Sequence, residues 1–112
     1  MLMEVIEKPV PVRRRVWFLA THHTRHDRLE LLLEDLRKGI DPAQRLNEVR
    51  AAMTRIARAV DSLGFDKLQR SARAIETLID WHLRANDPDH RPVIRAIDSF
   101  LDLSMTLCLH ED

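Results

Sequence analysis

The chain is expected to fold as an all-α, up-down antiparallel bundle of about four helices, and three observations carry that expectation. Its 112 residues are 45% hydrophobic and 32% charged, yet include only 2 Gly and no Tyr, a composition that favours helices over a turn-rich β fold. Apolar residues recur at steps of three and four along most of the chain, and each periodic stretch is closed by Gly or by an Asn/Asp/Pro cluster. The connections left over are short, and short connections make neighbouring helices antiparallel. A chain of this length is expected to form one domain with a sufficient core.

Residues 1–14 read as a flexible N-terminal arm, with Pro9 and Pro11 holding it extended and Arg13, Arg14 and Arg15 keeping its end solvated. The bundle domain is assigned to residues 15–112. Helix one is expected from Val16 to Lys38: Leu29, Leu32, Leu33, Leu36 and Ile40 form a stripe that continues backwards through His26, His22 and Leu19, and Gly39 closes it.

Helix two, over 42–63, is the most explicit element. Asp41 is placed to cap it and Pro42 suits its first position; Leu46, Val49, Met53, Ile56, Val60 and Leu63 then form one narrow seam. Gly64 is the left-handed stop, Phe65 is expected to fold back on the last turn, and Asp66 with Gln69 resembles a capping box that restarts the chain. The product is a tight helical hairpin. Helix three follows from Lys67 to Ala85 on Leu68, Ala72, Ile75, Leu78, Ile79 and His82, and Asn86-Asp87-Pro88-Asp89 interrupts it. Helix four begins near Pro88 or Pro92 and carries Val93, Ile94, Ile97, Phe100, Leu101, Ser104 and Cys108 on one face.

Formal net charge is zero, which argues against nucleic-acid binding. The charge is unevenly spread, however. Residues 42–73 hold seven bases against three acids, whereas residues 74–112 hold three Arg against eight acids. The hairpin is therefore basic and the last helix acidic. A single cysteine, Cys108, in an apolar pattern suits a reducing cytoplasmic setting. No stretch approaches the roughly 18 apolar residues of a membrane span, so neither membrane insertion nor a signal peptide is expected.

Ser62-Leu63-Gly64-Phe65, followed by Leu68, Ala72, Ile75 and Glu76, resembles the histidine phosphotransfer (HPt) domains of bacterial phosphorelays. These are small helical bundles in which a His-x-x-Lys-Gly motif precedes a Leu-Gly turn and an Ala-x-x-Leu-Glu-like stretch. Counting back from Gly64, the resemblance puts Thr54 where the family has its phospho-accepting histidine, Ala57 at its lysine and Arg58 at its glycine. A hydroxyl is not a nitrogen nucleophile, and the lysine that helps hold the phosphoryl charge is missing. What the resemblance implies is an HPt-like module, degenerate at the acceptor, that binds a receiver domain or histidine kinase through Arg50, Thr54, Arg55, Ala57 and Arg58. No cofactor is implied, and a homodimer is an open alternative as a generic helical interaction protein.

Thr21-His22-His23-Thr24-Arg25-His26-Asp27 has two readings. His22 and His26 share a helix face, but zinc sites usually take three or four ligands, and no second cluster is visible in the sequence. His82, His90 and His110 could contribute only through the fold, so no metal is assigned. Alternatively, Arg25-His26-Asp27 looks like the His-Asp boxes of histidine kinases and sporulation-type phosphotransferases, which makes His26 the candidate acceptor of an active phosphotransfer protein. No glycine-rich nucleotide loop is present, which excludes a complete kinase. Trp17, Phe18, Trp81 and Phe100 are read as core or interface anchors.

Overall fold

A computed structural model describes the backbone of residues 12–110 and the side chains of residues 14–107. The described residues form four helices: α1 (Val12–Arg37), α2 (Pro42–Ala59), α3 (Asp66–Ala85) and α4 (Arg91–His110). The helices pack as a ring. α1 lies against α2 and α4, α3 lies against the same two, and the α2/α3 hairpin makes the most extensive contact. This is the expected all-α antiparallel bundle. Because α1 starts at Val12, residues 12–14 are helical and do not belong to an extended arm. The rest of that arm lies outside the described residues.

One core runs the length of the ring. Met53, Ile56 and Val60 from the α2 seam meet Ile75 and Ile79 from α3 and Ile97 and Leu101 from α4, all buried as the periodicity required. α2 itself ends at Ala59. Val60 and Leu63 stay in the core because a tighter turn delivers them, in which the Asp61 amide donates to Arg58 O (3.3 Å) and the Leu63 amide to Val60 O (3.0 Å). Gly64 then reverses the chain at φ 84°. Left-handed residues also make the other two connections, Gly39 (φ 75°) and Asp41 (φ 39°) before α2 and Asn86 (φ 53°) after α3.

Several local expectations fail for traceable reasons. Asp41 is itself left-handed and makes no side-chain cap; its contribution is its carbonyl, which accepts from the Arg45 amide at 3.0 Å. Asp66 and Gln69 form no capping box, because α3 starts one residue after Phe65 and the Gln69 Nε2 instead donates across the hairpin to Ala57 O (2.9 Å). Phe65 is buried as its fold-back required, and it also brings its ring centroid to 5.3 Å from that of Phe18 on α1. Ile40 is exposed, since α1 has ended by Arg37 and Gly39 turns the chain away from the stripe. Of the four aromatic residues singled out, Phe18 and Phe100 are core, whereas Trp17 and Trp81 are 65% and 69% exposed. The Cys108 side chain lies outside the described residues.

Candidate functional site

The outer face of the hairpin is built by residues that leave the α2 seam and meet α3. Thr54 is half-buried there. Its hydroxyl is shared between two acceptors, Arg50 O at 3.1 Å and the Glu76 carboxylate, which it contacts directly through Oε2. Arg73 donates to the other oxygen of Glu76 at 2.9 Å. Burial pushes the Glu76 carboxyl up, but the hydrogen bonds from Thr54 and Arg73 outweigh that effect and hold it below its ordinary range. At neutral pH an anion therefore sits directly on Thr54. One turn away, Arg50 is tied down by Asp80 of α3 and by Asn47 Oδ1 (2.8 Å).

Arg55 and Arg58 differ from Arg50. Both are exposed, and neither has an acidic partner among the described residues. Arg25 approaches from α1: burial, and then the charge of Arg55, depress its pKa, and its Nη1 is enclosed without a hydrogen-bond acceptor. The basic surface thus extends onto a helix that sequence spacing alone did not connect to it. Ala57 has to be corrected. It is fully buried, with its carbonyl bound by Gln69, so its side chain cannot form part of a contact surface. Glu76 was legible only as a member of the motif after the Leu-Gly turn. Its place over Thr54, 22 residues away, depends on the register of two helices.

Two of the three histidines of α1, His22 and His26, face inward, whereas His23 is exposed. His22 is completely buried, stacks on Phe18 with ring centroids 5.0 Å apart, and places Nε2 2.6 Å from Ser104 Oγ of α4. His26 is 7% exposed and places Nδ1 3.0 Å from the same hydroxyl. Its Nε2 has no hydrogen-bond partner and lies 3.5 Å from Glu30 Oε2, whereas Asp27 is exposed on the other side of the helix. The carboxylate nearest His26 is therefore not the one the His-Asp box requires. Loss of solvation on burial lowers the His22 pKa from 6.5 to about 4, helped by the charges of Arg25, His26 and His23. Among the described residues, no three His, Cys, Asp or Glu side chains are grouped to hold a metal ion. Nor is any described helix long and apolar enough to cross a membrane.

Four antiparallel helices organised around one central hairpin, with a polar and charged outer face, define a small all-α bundle module. Residues 15–107 match the Hpt domain family, and the chain belongs to that family. Its members are phosphotransfer signalling modules of two-component systems and generally interact with receiver domains or histidine kinases. No curated protein and no solved structure matches the chain.

Proposed function

We propose that this chain is a non-catalytic HPt-like module of a bacterial two-component phosphorelay, working in the cytoplasm by binding a receiver domain or histidine kinase. The observation that carries this reading is the Thr54–Glu76 contact. At the position where the resemblance puts an acceptor imidazole, there is a hydroxyl held by an ionised carboxylate. A phosphoryl group brought there meets no nitrogen nucleophile and is repelled by Glu76. Beside it, Arg55 and Arg58 remain open to a partner, with Arg50 and Thr54 at the edge of the same face. Exposed charge of one sign steers an oppositely charged surface and sets its orientation. The active-histidine alternative draws no support from His26, whose ring nitrogens lie within the bundle.

Titration of candidate receiver domains with the wild-type chain and with Arg55→Glu/Arg58→Glu, at two ionic strengths, tests the docking face. The double variant is expected to fold normally, bind more weakly and lose the salt dependence. Equal binding by the two proteins contradicts this placement of the partner.

A further inference from the structure

The connection between α3 and α4 brings together two histidines that the hairpin face does not use. His82, in the last turn of α3, is buried; His90, just before α4, is half-buried. His82 Nε2 lies 2.7 Å from His90 Nδ1, with ring centroids 4.9 Å apart and the planes at 61°. At that separation one nitrogen presents a proton and the other a lone pair. When both neutral rings carry their proton on the far nitrogen, Nδ1 of His82 and Nε2 of His90, two lone pairs face each other.

We propose that His82 and His90 form a binding site for a borderline divalent transition-metal ion, with Zn²⁺ the ion best suited to imidazole and oxygen ligands. Zinc–nitrogen bonds are about 2.0–2.1 Å, so two nitrogens on a tetrahedral ion stand roughly 3.3 Å apart. The nitrogens therefore have to separate by about 0.6 Å, and the rings to tilt so that both lone pairs meet at the ion. His90 is free to give that distance: its ring has no other hydrogen bond among the described residues, and the exposed Asn86, Asp87 and Pro88 form the connection that carries it. Both rings open on a cavity of about 410 Å³ whose wall also includes Asn86 and Asp87 and contains no Lys or Arg. That space admits water as the remaining ligands; the Asp87 carboxylate on the same wall is engaged by the Asp89 amide at 2.9 Å and is not counted among them. The neighbouring cation, Arg91, is already matched by Asp89 through bonds of 2.8 and 3.0 Å. An ion here bridges the end of α3 to the start of α4.

Zinc chloride titrated into the tag-free full chain, followed by calorimetry and by long-range ¹⁵N NMR of the imidazole rings, tests the site. Saturation at one ion per chain in the micromolar range is expected, with the His82 and His90 ring signals shifting together and the melting temperature rising. His90→Gln, on the connection rather than in the core, should keep the fold and weaken zinc binding roughly ten-fold or more; His82→Gln checks the second ring. The proposal is overturned if zinc moves only the signals of His22, His23, His26 or His110. It is equally overturned if His90→Gln binds as the wild type does, or if nothing saturable appears at millimolar zinc.

Discussion

Two polar clusters, one on each side of the bundle, are each built around a hydroxyl and serve opposite ends. Between α2 and α3, Thr54, Glu76 and Arg73 form a half-buried group that is ionised and reachable from solvent. Between α1 and α4, His22, His26 and Ser104 form a buried group in which His22 is held neutral by the loss of solvation. A phosphorelay histidine has to combine an imidazole with exposure. In this chain Thr54 stands where the resemblance puts that exposed imidazole, and His22 and His26 of α1 are buried, leaving His23 as the exposed histidine of that helix. Neither the half-buried Thr54 nor the buried pair His22 and His26 combines residue type with accessibility, and phosphotransfer needs both.

The hairpin beneath the exposed cluster should be the more costly to disturb. Ile56 is fully buried under that face, so Ile56→Ala is expected to lower unfolding free energy by about 2–5 kcal/mol; urea denaturation measures it. On the buried side, the effect of acid follows from His22. Above its unfolded pKa of 6.5 the ring is neutral in both states. Between 6.5 and about 4 the unfolded chain takes up a proton that the folded chain refuses, so stability falls as pH drops and levels off below about 4. The loss is on the order of 3 kcal/mol. Urea melts at neutral pH and near the lower limit should show a steeper decline for wild type than for His22→Gln; parallel declines contradict a buried neutral ring.

Ser104→Ala sharpens the same contrast, because it leaves His22 Nε2 and His26 Nδ1 without their shared partner. A cost of roughly 1–3 kcal/mol is expected, against almost none for an exposed serine such as Ser99 on the same helix. Gly64→Val should cost about 1–2 kcal/mol. Nothing lies within 4 Å of a Cβ at Gly64, so the strain of φ 84° is the expected source of the cost; a substitution without cost in a thermal melt speaks against the left-handed stop. Arg55→Glu/Arg58→Glu should change stability least, by about 0.5 kcal/mol or less, while changing binding most.

What was readable in the sequence followed from periodicity. The seam from Leu46 to Leu63, the stop at Gly64 and the break at Asn86 each depend on a few consecutive residues, and all three are in place. What was not readable depended on the path of the chain between elements. Asp41 has a capping side chain but a left-handed backbone, Gln69 reaches the carbonyl of Ala57 instead of its own helix, and Phe65 finds Phe18. The candidate site divides in the same way. The lack of a histidine at residue 54 is a matter of counting from Gly64, whereas the carboxylate over Thr54 and the burial of Ala57 are set by the register of α2 against α3. The pairing of His82 with His90 likewise needs the turn that Asn86 makes.

The central claim is that position 54 lacks both the nucleophile and the electrostatic room for phosphate. It is tested most directly by incubating phosphorylated receiver domains with the wild-type chain and with Thr54→His/Glu76→Gln, then measuring acid-labile, alkali-stable phosphate on each. The wild type is predicted to take up none, and the double variant, with an imidazole in place and the opposing charge removed, to gain it. Phosphate on the wild-type chain that disappears in His26→Ala would contradict the account and make α1 the site of transfer.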